Sequence, residues 1–107
     1  MKDFSKYSAI IIGAGDATGA AITRKFASHG YKVCPARRPR NIEKVQELSQ
    51  EIIKSGGWSK GYGVDARDEE SIQSFFKEVE EEVAPIDVVI FNPGANVYLS
   101  LIHISEP

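Results

Sequence analysis

The sequence of 107 residues is poor in cysteine, in long apolar runs and in excess charge of either sign. Its single cysteine, Cys34, excludes an internal disulfide and fits a reducing compartment. No run approaches the roughly 20 apolar residues of a membrane span, and the first six residues lack the apolar segment of a signal peptide. With 13 Lys+Arg against 15 Asp+Glu, the chain has no positive excess to hold a nucleic acid. We therefore expect a soluble cytoplasmic protein that binds neither membranes nor nucleic acids.

The most informative stretch joins the apolar run 10–12 to a glycine-rich turn and then to a segment with helical spacing. A turn of this kind lets the backbone approach a phosphate, and the amides at the helix N-terminus supply donors and a positive dipole end. Because the spacing is Gly-x-Gly-x-x-x-Gly, unlike the commonest dinucleotide fingerprint, a turn that only connects strand and helix is the alternative. The candidate phosphate-binding residues are Gly13, Gly15, Asp16, Ala17, Thr18 and Gly19.

Apolar periodicity predicts four strands that alternate with three helices. The predicted strands are residues 8–12, 31–36, 58–64 and 86–91, with Pro35 near the end of the second. We expect the first helix to end at Gly30, the second to begin with Asn41 as N-cap, and the third to begin with Asp68 as N-cap. This alternation, with short connections, predicts an α/β fold with a Rossmann-like parallel sheet and flanking helices.

Unusual polar or glycine residues follow all four predicted strands. The glycine turn follows the first strand, Arg37 and Arg38 the second, residues 65–66 the third and residues 92–94 the fourth. Ligands of such sheets bind beyond the carboxyl ends of the strands. The sequence therefore predicts that these four segments converge on one nucleotide site.

In this arrangement the chain resembles the short-chain dehydrogenase/reductase family, whose glycine motif is Thr-Gly-x-x-x-Gly-x-Gly. Gly13 and Gly19 match the first and last motif glycines, and Ala17 replaces the middle one. The resemblance extends from residue 8 to about residue 96 and implies an NAD(P)-binding Rossmann half-domain over residues 1–98. It also implies the strand order 3-2-1-4 in a sheet that is incomplete.

The fourth strand of that family ends in Asn-Asn-Ala-Gly, which this chain matches only in part. Asn92 and Gly94 match, whereas Phe91 and Pro93 replace the first and third motif residues. The resemblance implies that Asn92 braces the strand end and that Gly94 leaves space for the cofactor.

The residues after the second strand indicate which cofactor is bound. A cofactor with a free ribose 2'-hydroxyl normally meets a carboxylate there, but this chain has Arg37 and Arg38. Because a guanidinium pairs well with a 2'-phosphate, we expect NADP(H) to be preferred over NAD(H). The alternative is a pair of solvated arginines, since Arg40 shows that the whole loop is basic.

The resemblance also assigns roles to two residues after the third strand. It implies that Asp65 accepts a hydrogen bond from the adenine amino group and that Ala66 contributes its backbone. An aspartate after a strand is also a common turn cap, which is the alternative. His29 has no Cys, His or acidic partner spaced for a metal site, so we expect no metal.

Catalysis in this family uses a Ser and a Tyr-x-x-x-Lys pair that follow the fourth strand. No Tyr of this chain has a Lys four residues later, so we expect a cofactor-binding part with no catalytic residue. The resemblance implies a parent enzyme that transfers hydride between nicotinamide and a small alcohol or carbonyl substrate, and a homo-oligomer. A non-catalytic NADP(H)-binding or sensing module and a fragment that binds nothing are the alternatives.

Residues 99–107, Leu-Ser-Leu-Ile-His-Ile-Ser-Glu-Pro, differ in character from the rest of the chain. They look like the translation of a transposon-end adaptor used in sequencing libraries. We therefore expect a non-native tail on a truncated reading frame. A short strand over residues 100–104, where apolar and polar residues alternate, is the alternative.

Overall fold

The apolar runs of the sequence form strands and its amphipathic stretches form helices. A computed structural model describes residues 3–14, 17–92 and 101–102. The strands of this described part are β1 (Ser8–Ile12), β2 (Lys32–Arg37), β3 (Trp58–Ser59), β4 (Tyr62–Gly63), β5 (Ile86–Phe91) and β6 (Leu101–Ile102). Its α-helices are α1 (Ala17–Ser28), α2 (Ile42–Lys54) and α3 (Glu69–Glu82), and single 3-10 turns cover Phe4–Lys6 and Pro39–Asn41.

The strands form one sheet with the order β3-β2-β1-β5-β6, in which β4 also pairs with β2. β1 lies between β2 and β5 and is parallel to both, with Ile10 opposite Cys34 on one side and Val89 on the other. β3 and β4 together correspond to the predicted third strand and β5 to the fourth, so the predicted parallel sheet and its order 3-2-1-4 are confirmed. β6 pairs with β5 in the antiparallel direction.

Helices cover both faces of the sheet, which explains why β1 is apolar from Ala9 to Ile12. Ala9 and Ile11 belong to a core that includes Val45 of α2 and the apolar side of α1. Ile10 belongs to a second core with Phe75 of α3. Because successive strand residues point to opposite faces, a central strand covered twice needs apolar side chains at every position. Among the described residues, no helix is both long and apolar enough to cross a membrane.

The predicted third strand is interrupted, and Pro35 accounts for the interruption. The amide of Lys60 donates to the carbonyl of Val33 at 3.2 Å. In a parallel ladder the next hydrogen bond would come from the N–H of residue 35, which proline lacks. β3 therefore ends at Ser59, and pairing resumes where Tyr62 faces Ala36. Pro35 thus lies near the end of β2, as predicted, but the strand continues beyond it to Arg37.

The predicted helix ends are confirmed, except for one capping hydrogen bond. Gly30 has a φ of +103° just after α1, and the Asp68 side chain accepts from the amide of Glu70 at the start of α3. Asn41 occupies the predicted N-cap position of α2 but makes no side-chain capping hydrogen bond, so only the acceptor role predicted for its side chain was wrong. A 3-10 turn that ends at Asn41 leads into α2 instead. In this turn the amide of Ile42, the first residue of α2, donates to the carbonyl of Pro39.

Candidate functional site

A cleft with a volume of about 380 Å³ lies at the carboxyl ends of the parallel strands. It is bordered by the glycine turn after β1, the end of β2 with the following 3-10 turn, the segment after β4 and the end of β5. Four dispersed segments of the sequence therefore meet at one place, where ligands of open α/β sheets bind. The volume is within the range of small-molecule sites, roughly 300–1,000 Å³.

Gly13 borders this cleft and packs closely against the backbone of Asn92 because it has no side chain. Its φ is +86°, and a Cβ atom built on it would lie 1.8 Å from the carbonyl oxygen of Asn92. The amides of Gly13 and Ala14 both donate to the carbonyl of Ala36, at 2.8 and 3.1 Å. These two N–H groups are used inside the fold, so Gly13 contributes close approach and not an amide for a phosphate.

Gly19 brings the N-terminus of α1 against the glycine turn. A Cβ atom on Gly19 would lie 2.5 Å from the carbonyl oxygen of Gly13 and 2.6 Å from Cα of Ala14. Ala17 and Thr18 are exposed in the first turn of α1, where amides have no partner inside the helix and the dipole is positive. This geometry fits the diphosphate of a dinucleotide. These three residues do not line the cleft itself, and Gly15, Asp16 and Gly94 lie outside the described residues.

Arg37 and Arg38 both line the cleft. Arg37 is the last residue of β2, and its carbonyl accepts from the amide of Val64 at 2.7 Å. Arg38 is exposed and begins the loop that leads to α2. Arg40, which the sequence left as a general loop charge, lines the cleft as well.

Asp65 and Ala66 line the cleft from the segment after β4. The Oδ1 atom of Asp65 accepts from the amide of Arg67 at 3.0 Å, and the guanidinium of Arg67 lies 3.7 Å from the same oxygen. The amide of Asp65 donates to Ser71 at 3.1 Å. Asp65 thus caps this turn, as the alternative interpretation predicts, and it also borders the cleft.

Asn92 connects the end of β5 to the glycine turn. Its amide donates to the carbonyl of Ile12 at 2.8 Å, and its side-chain Nδ2 donates to the carbonyl of Gly13 at 3.3 Å. Asn92 is fully buried and also borders the cleft. This is the bracing position that the resemblance implies for it.

Charge and donor chemistry suit a phosphorylated ligand. Of the residues that the structure describes, four arginines and one carboxylate, that of Asp65, line the cleft; the arginines are Arg37, Arg38, Arg40 and Arg67. Guanidinium groups bind phosphate through paired, charge-assisted hydrogen bonds. Among the described residues, no group of three or more His, Cys, Asp or Glu side chains could hold a metal ion.

Sequence reasoning missed Arg67 and gave Arg40 no role. A local signal existed for Arg67, because a residue two positions after a turn-capping Asp commonly donates its amide to that carboxylate. This hydrogen bond from the Arg67 amide keeps Arg67 beside Asp65. It therefore predicts that the two residues lie at the same edge of the site. For Arg40 the decisive information is the 3-10 turn, which the apolar pattern does not specify.

Comparison with known proteins gives consistent matches. The sequence model of the short chain dehydrogenase family matches residues 7–106. The chicken (Gallus gallus) dehydrogenase/reductase SDR family member 11 is 33% identical over 96 residues, which are 88% of this chain and 37% of that protein. The crystal structure of a short-chain dehydrogenase from Rhodopseudomonas palustris is similar, with a TM-score of 0.78 and 41% sequence identity. The match covers 86% of this chain and 42% of that chain.

A metagenomic short-chain oxidoreductase, crystallised in complex with NADP, has a TM-score of 0.74 and 29% identity. The match covers 83% of this chain and 39% of that one. The chain therefore spans about two-fifths of the length of these similar proteins.

Proposed function

The chain belongs to the short-chain dehydrogenase family, and from this premise we propose that it is the cofactor-binding part of an NADP(H)-dependent oxidoreductase. The parent enzyme would transfer hydride between nicotinamide and an alcohol or carbonyl substrate. The similar proteins are dehydrogenases and oxidoreductases, which favours this function over a non-catalytic binding module. Since the chain spans only part of their length, hydride transfer is proposed for the longer protein.

The observation that carries the cofactor preference is the pair Arg37 and Arg38 on the wall of the cleft. A carboxylate at the end of β2 would accept from a free ribose 2'-hydroxyl and repel a 2'-phosphate. Two guanidinium groups have the opposite effect, because they donate to phosphate oxygens and neutralise their charge.

The glycine turn and the other residues at this sheet edge are proposed to bind and orient the same molecule. The turn from Gly13 to Gly19 would hold the diphosphate, with the amides of Ala17 and Thr18 as donors. Asp65 would accept from the adenine amino group, and Asn92 would keep β5 and the glycine turn in register. When bound, the nicotinamide supplies or accepts the hydride.

Titration of the chain with NADPH and with NADH, followed by nucleotide fluorescence, tests this proposal. We expect NADPH to bind at least about tenfold more tightly, since one charge-assisted contact contributes roughly 1.5–3 kcal/mol. The double variant Arg37→Ala/Arg38→Ala should lose this preference and leave NADH affinity within about twofold. Lys54→Ala, which removes an exposed charge at the far end of α2, is the matched control.

Equal affinity for NADPH and NADH in the unmodified chain would contradict the cofactor preference. Absence of binding by either nucleotide would contradict the cofactor-binding function as a whole. For hydride transfer, the DNA beyond the codon for Pro107 would be sequenced, and a longer reading frame expressed and assayed for NADPH oxidation with small aldehydes and ketones.

A further inference from the structure

A second cavity adjoins the cleft on its outer side and has a volume of about 270 Å³. We call it the outer lobe; its described lining is Arg38, Pro39, Arg40, Asp65 and Arg67. Three of these five residues are arginines, and all but Pro39 also line the cleft. The outer lobe is therefore a basic extension of the proposed cofactor site. In the described part of the chain, Arg37 borders the cleft but not the outer lobe.

The loop that carries Arg40 is held over the end of β4 by a close backbone contact. A Cβ atom on Gly63 would lie 3.0 Å from Cα of Pro39, so only glycine lets the loop approach this closely without displacement. Gly63 pairs with Arg37 in the sheet, which fixes the position of β4 beside the loop. This contact places Arg40 at the same rim as the segment after β4.

Arg67 resolves an electrostatic conflict within the outer lobe. The carboxylate of Asp65 alone would repel a phosphate monoester, which carries about two negative charges near neutral pH. The Arg67 guanidinium, 3.7 Å from Oδ1 of Asp65, offsets that negative charge. Its side chain is 79% exposed and lines the lobe, so it is accessible to a ligand there.

We propose that Arg40 and Arg67 bind the 2'-phosphate of NADP(H) in the outer lobe, from the two segments that border it, and so add to the specificity that Arg37 and Arg38 provide. Arg67 has the additional role of neutralising Asp65, so that a carboxylate can stand beside a phosphate. This inference rests on the proposed function and extends it, because it adds two phosphate contacts in the outer lobe to those of Arg37 and Arg38.

The test compares the NADPH/NADH affinity ratio of the unmodified chain with the ratios of Arg40→Ala, Arg67→Ala and the control Lys54→Ala. We expect Arg40→Ala and Arg67→Ala each to lower the ratio by about tenfold through NADPH alone, because each loses a charge-assisted contact. Lys54→Ala should change it by less than about twofold. Adenosine 2'-monophosphate should lose affinity in the same variants as NADPH, whereas the affinity of adenosine 5'-monophosphate, the matched probe, should not change with them. All three side chains are exposed, so the variants should retain the circular dichroism spectrum of the unmodified chain.

A second variant separates the two roles of Arg67. If Arg67 neutralises Asp65, the double variant Asp65→Asn/Arg67→Ala should recover about threefold or more of the lost ratio, since the unpaired carboxylate is then absent. No recovery would overturn the neutralising role. Any direct contact of Asp65 with adenine affects both nucleotides alike and therefore cancels in the ratio.

The outcomes distinguish this inference from the proposed function. If the unmodified chain prefers NADPH, and the preference survives Arg40→Ala and Arg67→Ala but not Arg37→Ala/Arg38→Ala, the outer lobe is overturned and the proposed function stands. If the unmodified chain shows no preference, both the NADP(H) proposal and the outer-lobe inference are overturned.

Discussion

The carbonyl oxygen of Asn92 lies 1.8 Å from the point that a Cβ atom on Gly13 would occupy. The side chain of Asn92 in turn donates to the carbonyl of Gly13 at 3.3 Å, across a sequence separation of 79 residues. The glycine turn and the end of β5 are thus parts of one structural unit. Glycine at position 13 is required by backbone packing, independently of any ligand.

Substitution of Gly13 tests this contact. Gly13→Ala should lower the free energy of unfolding by about 3 kcal/mol or more, since the alanine has both a positive φ and a clash with a backbone atom that cannot rotate away. Gly56→Ala is the matched control, because Gly56 has a φ of +94° with no neighbour within 4 Å of the added Cβ. It should cost only about 1 kcal/mol. Urea denaturation measures both values, and equal losses would contradict the steric argument.

Local signals in the sequence predicted much of the fold. Asp68 caps α3 as its side-chain chemistry indicates, and the uninterrupted apolar run of β1 occupies the middle of the sheet. The break in the third strand was not predicted, although Pro35 was noticed. Its effect falls on Lys60, between β3 and β4, and a one-dimensional pattern does not contain the register that joins Pro35 to this segment.

The candidate site was predictable where it depends on strand ends and not where it depends on contacts between segments. Arg37, Arg38 and Asp65 lie at or just after the ends of strands, so parallel topology alone brings them together. The position of Arg40 depends on the approach of Pro39 to Gly63, which the sequence does not reveal before the loop conformation is known.

Cys34 should be unreactive in the native protein. Its side chain is fully buried in β2, and burial raises the pKa of the thiol to about 12. Since the thiolate is the reactive form, a disulfide reagent such as DTNB should label less than about a tenth of the native protein in the time that labels the chain completely in denaturant. Rapid stoichiometric labelling of the folded protein would contradict this burial.

Tyr31→Phe should destabilise the fold by about 2 kcal/mol, because a buried hydrogen bond to a carboxylate is lost. The Tyr31 hydroxyl donates to Oδ2 of Asp87 at 2.6 Å, and both residues are buried. The ring contacts with Phe4 and Phe26, at centroid distances of 4.9 and 5.6 Å, should remain in the variant. Chemical denaturation at pH 7 measures the loss.

The same pair predicts a dependence on alkaline pH. Burial, followed by the hydrogen bond to Asp87 and the negative charge of that carboxylate, raises the pKa of Tyr31 to about 12. In the unfolded chain the phenol titrates near pH 10. The unfolded state therefore releases this proton first, so the stabilisation is complete below pH 10 and declines as pH rises towards 12. The stability gap between the unmodified chain and Tyr31→Phe should narrow over that range, and a constant gap would contradict this linkage.

Tyr62→Phe should not destabilise the fold as Tyr31→Phe does, although both variants remove one buried hydroxyl. The Tyr62 hydroxyl is buried and has no hydrogen-bond partner among the described residues. The ring itself packs against Phe75 at a centroid distance of 4.9 Å. Since an unsatisfied buried hydroxyl costs about 1–3 kcal/mol, its removal should leave the free energy of unfolding unchanged or raise it by up to about 1 kcal/mol. Parallel denaturation of the two variants measures the contrast. A loss with Tyr62→Phe as large as that with Tyr31→Phe would mean that a bound water molecule or another partner satisfies the Tyr62 hydroxyl in solution.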